Sequence, residues 1–333
     1  MRTDWQQKSL RVGAAAVAAA LILRLAGSGI LAPVARALQQ PEMMSFLLYL
    51  QTGRVVRLAS PMAEWSRESP GLTVLPPQAA ADRPTFSDDD LDLVEMRYTC
   101  DYRPALAPLL TAPLDWDLTG SEPTVLILHS HATESYTRVP GESYTSSADF
   151  RTLDDHYNMV SVGDALTRQL EEGGITVLHD RTLHDSPSYD DAYDNSRAAA
   201  RDYLTRYPSI RVVLDLHRDA AEDAAGEQVA TCATINGSET ARLMLVVGTD
   251  EAGEEHSDWR ENLAFALKLQ VVLERQSPGL VRYTSLRMSR FNQDLRPGAL
   301  LVEIGTAGDT HAQALTAAAL LGDGLLALAH GTT

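Results

Sequence analysis

Short solid apolar runs alternate along the chain with longer stretches whose apolar residues recur at helical spacing. Val125-Leu126-Ile127-Leu128, Ile175-Thr176-Val177-Leu178, Ile210 to Leu216, Ala241 to Gly248 and Leu300 to Ile304 read as buried strands. Between and after them, Met159 to Leu170, Tyr193 to Tyr207, Trp259 to Arg275 and Ala312 to Ala329 read as helices. Gly173-Gly174 supplies a stop for the first helix, and Pro208 follows the second. Strands alternating with helices from Pro123 onward predict an α/β fold. Its sheet should be largely parallel and twisted, with helices on both faces.

Upstream of Pro123 the pattern changes twice. Val12 to Leu23 is an uncharged Ala/Leu-rich run behind Arg2, Lys8 and Arg11, and a second apolar stretch continues past Arg24 to about Val34. Together they suit a transmembrane signal anchor with Arg24 snorkelling; a cleaved signal peptide and a weakly amphipathic helix are the other readings. The basic flank lies before the run, so the remainder is expected outside the cytoplasm. From Gln39 to Leu118 the prolines Pro61, Pro70, Pro76, Pro77 and Pro84 punctuate Ala, Ser and Asp, as in an extended stalk. The expected organisation is therefore an anchor over 1–38, a stalk over 39–118 and a folded domain over 119–333.

Charge narrows the partners. The net charge of -17 over 333 residues argues against nucleic acid and against broad attachment to anionic lipid. The two cysteines, Cys100 and Cys232, form no CxxC pair, and a single disulfide or two thiols both fit.

The chemistry sits at three strand ends. The first run leads into His129-Ser130-His131-Ala132-Thr133-Glu134, the third into Asp215-Leu216-His217-Arg218-Asp219, and the last contains Glu303. Alternation along a strand aims His129 and His131 the same way, and likewise Asp215, His217 and Asp219. Catalytic zinc takes three protein ligands and keeps one position open, and His131, Glu134 and His217 could supply them. Glu303 would then take a proton from a water that zinc acidifies to about pKa 7. A carboxylate between Val302 and Ile304, or between Leu214 and Leu216, is costly without a partner. Asp215 is accordingly read as the acceptor that orients a ligand histidine. His129 is an alternative ligand or a substrate donor, and Arg218 and Asn292 are expected to contact substrate. His156 and His179 are expected in solvent, His184 on the rim, and His256 and His311 at the surface.

Taken in order, LILHSHATESY (126–136), NMVSVGDALTRQLEEGGITVLHD (158–180), LDLHRDA (214–220) and RFNQDLRPGALLVEIGTAGDT (290–310) resemble the stage II sporulation protein P family. The resemblance runs from about Pro123 to Ala329. It implies a zinc-dependent N-acetylmuramoyl-L-alanine amidase with one zinc per chain, anchored in the cell membrane and acting on peptidoglycan during forespore engulfment. Cross-link endopeptidase activity and partnership with stage II sporulation proteins D and M are also implied. By position, His131 and His217 match ligand histidines and Glu303 the catalytic glutamate. In the wider amidase class the acidic ligand comes later, just before the helix at Met159. There this chain has Asp155, His156 and Asn158 but no glutamate, so Glu134 takes that role. Asp309 and Gln313 replace an expected asparagine and glutamate and should shape the last helix. A zinc carboxypeptidase-like peptidase and a non-catalytic wall-binding scaffold are the alternatives.

Overall fold

The computed structural model describes residues 83–114 and 116–330. In chain order the elements begin β1 (Met96–Tyr98), α1 (Leu106–Thr111), β2 (Val125–Leu128), β3 (Ser146–Ala148), β4 (Arg151–Thr152) and α2 (Met159–Glu172). Next come β5 (Val177–His179), α3 (Ala192–Arg206), β6 (Val212–Asp219), β7 (Ala233–Ile235), β8 (Ser238–Thr240) and β9 (Leu243–Gly248). The chain closes with α4 (Trp259–Gln276), β10 (Val281–Arg287), β11 (Ala299–Thr306) and α5 (His311–His330).

Seven strands form the central sheet in the order β1-β10-β9-β11-β6-β2-β5. Every neighbouring pair is parallel except β9 with β11, which is antiparallel. The fold is thus mixed α/β around a largely parallel sheet, as the alternation predicts. Because β2, β6 and β11 run the same way side by side, their C-terminal ends open on one edge. In α/β sheets that edge is where ligands bind.

The two faces of the sheet are covered unequally. Val125, Ile127, Leu214, Leu216, Leu300 and Val302 enter the main core with residues of α2, α4 and α5. On the opposite face Leu126, Leu128, Val213 and Ala299 pack against Ala200, Tyr203 and Leu204 of α3. Met244, Val246 and Leu301 on that second face are met by Tyr283 and Phe291 rather than by a helix. The alternation of β6 and β11 therefore sends Asp215, His217 and Glu303 toward this second face.

One expectation needs correction. The stalk was expected to reach Leu118, but within the described residues the segment from Arg83 on belongs to the domain. Met96–Tyr98 is the edge strand β1, paired with β10. Phe86, Leu91, Leu110, Leu114 and Trp116 pack into the main core, and Trp116 meets Phe265 edge-on at 4.7 Å. Prolines here shape a wrapped segment instead of an extended one. The anchor at 1–38 and the stalk over 39–82 lie outside the described residues. Among those residues α5 is long and apolar enough to cross a membrane, and half of it is buried in the domain. Cys100 and Cys232 are free thiols.

Candidate active site

Glu303 and His217 are direct cross-strand partners in the parallel β6–β11 register, so their side chains stand as neighbours on one face. His131 arrives differently. The strand alternation of β2 carries on to His129, whose ring turns toward β5 and lies 2.8 Å (Nε2 to Nε2) from His179. The chain then leaves strand geometry in a turn over Ser130 to Thr133. That turn swings the His131 ring to 5.4 Å from His217, nearly perpendicular to it. His129 and His131 therefore do not point the same way, because alternation ends where the strand ends.

Glu134 closes the group. Its Oε2 lies 3.6 Å from His217 Nδ1 and accepts from the Arg218 backbone N–H at 3.2 Å. An antiparallel bridge to Arg151 holds its backbone. The neighbouring candidate segment takes other partners. Asp155 pairs with Arg181 at 3.1 Å, and Asn158 caps α2 by accepting from Val160 N–H at 3.0 Å. Asp154, Asp155 and His156 do offer ligand atoms within 4.8 Å of one another. His156 in that group is exposed, 60% open at its side chain.

Asp215 is buried and accepts from Ser130 N–H (2.8 Å) and Oγ (2.6 Å), while its Oδ1 lies 2.9 Å from His217 Nε2. It links the end of β2 to the His217 ring as a charge in close contact with that imidazole.

The electrostatics follow from three carboxylates gathered in a buried place. Burial pushes Glu303 up to about 7, with Glu134 and Asp219 adding to the rise and His217 opposing it. Burial alone would lower His217, but Asp215, Glu134 and Glu303 outweigh it and push the imidazole up to about 10. Burial and the neighbouring His217 hold His131 down to about 3. The three carboxylates thus favour positive charge at the His217 position. His131 Nδ1 and Glu303 Oε2 are buried without hydrogen-bond partners. Two imidazoles and a carboxylate form a zinc-type donor set, and the orphaned atoms fit such an ion, but the donor atoms of His131, Glu134 and His217 do not all lie within 4.8 Å of one another.

Three residues expected to touch substrate are engaged inside the protein instead. Arg218 donates from Nε to Ser135 O (3.1 Å) and from a terminal nitrogen to Phe150 O (3.0 Å), so it fastens the Glu134 loop to β6. Asn292 donates to Tyr193 O (2.8 Å) and Ser196 Oγ (3.2 Å), tying its loop to α3. His129 is fully buried between His179 and the Leu216 carbonyl, 3.1 Å away. Expected in solvent, His179 is therefore half-buried with His129, and His256, expected at the surface, is 1% exposed.

Sequence reasoning missed two aromatic residues of the site. The Tyr189 ring stacks on His131 at 4.1 Å. Tyr193, on the first turn of α3, stands edge-on to His131 at 5.4 Å and parallel to the His217 ring at 6.3 Å. Burial, together with Asp215, Glu303 and Glu134, holds its hydroxyl far above the usual tyrosine range. The SxxYDDAYDN stretch carried no apolar pattern to single them out; only proximity does.

The family model for Stage II sporulation protein P (SpoIIP) matches residues 77–325. Stage II sporulation protein P of Bacillus subtilis (strain 168) is 31% identical over 199 residues, covering 56% of this chain and 46% of its own length. The chain thus spans about half the length of that curated relative. Among solved structures, the N-acetylmuramyl-L-alanine amidase Ami1 from Mycobacterium smegmatis aligns with 65% of this chain and 100% of its own, at 14% identity and a TM-score of 0.38. The CwlD amidase from Clostridioides difficile, in complex with the GerS lipoprotein, aligns with 62% of this chain and 95% of its own, at 12% identity and a TM-score of 0.36. The family match takes in every strand of the central sheet and all four residues gathered at its edge, and the chain belongs to the Stage II sporulation protein P family.

Proposed function

We propose that the chain is a zinc-dependent peptidoglycan hydrolase, an N-acetylmuramoyl-L-alanine amidase that cuts between the glycan's lactyl group and the first stem residue. The observation that carries this reading is the convergence of His131, Glu134, His217 and Glu303 on one face, with buried polar atoms unpartnered among them. Membership of the sporulation family supports the cell wall as the target.

In this reading His131, Glu134 and His217 hold the ion. When bound, zinc supplies Lewis acidity toward a carbonyl oxygen and acidifies water. Glu303, whose carboxyl is pushed up by burial, would accept a proton from the attacking water and return one to the leaving amine nitrogen. Asp215 keeps the His217 ring in place from the opposite side. The Tyr193 hydroxyl makes no hydrogen bond among the described residues and stays protonated. It is therefore a donor that substrate can use. Tyr189 shields one face of the His131 ring from water.

In the cell, the apolar run before Val34 would hold the domain at the outer side of the membrane, beside partners such as stage II sporulation proteins D and M during engulfment. The family and the run's composition support this placement.

The test is digestion of purified peptidoglycan together with metal analysis. The wild-type protein should bind about one zinc and release intact stem peptides from the glycan. Glu303→Gln should keep the zinc and lose activity by about 10²–10⁴-fold, the usual worth of a positioned general base. An active Glu303→Gln variant would remove the assigned base. Release of single terminal amino acids would instead identify a carboxypeptidase.

A further inference from the structure

Around the site nearly every arginine has a counter-charge or an acceptor. Arg197 pairs with Asp294, Arg282 with Asp219, Arg181 with Asp155, and Arg218 with backbone carbonyls. Arg151 is different. Half-buried on β4, it makes no ion pair among the described residues, and its guanidinium donates no hydrogen bond there.

Its placement is fixed from two sides. The backbone of Arg151 bridges that of Glu134 antiparallel, and directly paired residues of such a bridge project side chains to the same side. The guanidinium then lies over the Tyr189 ring, 3.8 Å from its centroid, and that ring is 4.1 Å from the His131 ring. The sum of these two separations bounds the distance from Arg151 to His131. It amounts to about two residues of extended peptide, at roughly 3.3–3.6 Å each. Two carboxylates of the site are already occupied. Glu134 faces His217 and Arg218, and Asp185 accepts from Thr133 N–H and Oγ, the latter at 2.6 Å. Stacking on Tyr189 leaves the planar fork of N–H donors without acceptors among the described residues, and that fork matches a carboxylate.

We infer that Arg151, backed by Tyr189, is a carboxylate-binding subsite of this active site. It selects peptides that carry a free carboxylate within about two residues of the bond that is cut. The inference rests on the hydrolase reading above and adds to it a source of substrate selectivity. In a chain of net charge -17, an open guanidinium beside the site also offsets the repulsion an anionic substrate would meet there.

The experiment compares two synthetic muramoyl-L-alanyl peptides that differ only at the second residue, one with a free carboxylate and one with the carboxamide. Cleavage rates are measured for the wild-type and Arg151→Gln proteins, both full-length and zinc-loaded. Equilibrium binding of the same peptides is measured calorimetrically in a Glu303→Gln background. The wild type should prefer the carboxylate peptide about tenfold or more, the usual scale of a charge-assisted hydrogen bond. Arg151→Gln should abolish that preference by weakening the carboxylate peptide alone, in KM more than in kcat, with zinc content and melting temperature unchanged. Retained preference, or an equal loss on both peptides, overturns the assignment. If the wild type cleaves neither peptide, the hydrolase reading fails. The binding preference and its loss in Arg151→Gln still decide the role of Arg151.

Discussion

Asp215 is a carboxylate in an apolar strand, and its neighbours Leu214 and Leu216 are fully buried. Such a position demands partners, and the partners prove to be Ser130 and His217. The demand was legible in the one-dimensional pattern for Asp215 and for Glu303. The roles of His129, Arg218 and Asn292 were not, because each depends on which backbone carbonyl or side chain folds against it. His129 looked equivalent to His131 only while strand alternation was carried one step too far. The residue-scale prediction concerns Asp215. Asp215→Asn keeps an acceptor for Ser130 N–H but removes the charge beside His217. If the proposed zinc site holds, its zinc affinity should fall about 10- to 100-fold, as for other carboxylates behind ligand histidines. Competition against a chromophoric chelator measures it, and unaltered affinity would mean that Asp215 does not tune the ligand.

At the scale of elements, the fully apolar strands β2, β9 and most of β6 and β11 could be read directly. Strand β10 could not, because Arg282, Tyr283, Thr284 and Ser285 look like a loop. Its polar groups find partners on other elements: Thr284 Oγ1 donates to Gln270 of α4 at 2.7 Å, and Arg282 reaches Asp219 at 2.9 Å. Strand β1 is short and half-exposed for the same reason of position, since it lies at the sheet edge. The turn from β11 into α5 shows how one residue can join elements. The buried Asp309 carboxylate accepts from Thr231 N–H and Oγ1 (both 2.9 Å), Cys232 N–H (2.8 Å) and Thr306 N–H (2.8 Å). It fixes the segment before β7 to the turn that follows Glu303. Asp309→Ala would strand several donors, and hydrogen bonds to charged groups are worth about 1.5–3 kcal/mol each. A net loss of about 3 kcal/mol, or roughly 6–12 °C in Tm for a domain of this size, is expected. Calorimetry would reveal it, and a shift under 2 °C (about 1 kcal/mol or less) would show the turn to be held by other contacts.

For the whole molecule, the question is where the folded unit begins. Composition placed the boundary at 118, because prolines and small residues dilute the apolar positions that precede it. Packing places it earlier. Tyr102 stacks on Trp259 at 5.3 Å, Trp116 covers Phe265, and Leu110 is fully buried. Lys268 lies 2% exposed on α4 and donates to Leu109 O at 2.8 Å, so α1 also supplies the acceptor for a buried ammonium. A fragment starting at residue 119 would lose all of these contacts, and it would leave β10 as an open edge next to exposed Phe265. Each large apolar side chain uncovered costs about 1.5–3 kcal/mol. Several together approach the 5–15 kcal/mol that stabilises a typical domain. An unpaired edge strand adds a template for aggregation. The fragment 119–333 should therefore elute as aggregate or melt without cooperativity, whereas 83–333 should be monodisperse with a single sharp transition. Size-exclusion chromatography and thermal circular dichroism distinguish them. If the shorter fragment melts cooperatively within a few degrees of the longer one, the wrapped segment is an ornament on a core that folds alone. If it does not, the four strand-end residues depend for their alignment on a segment that lies entirely outside the motifs.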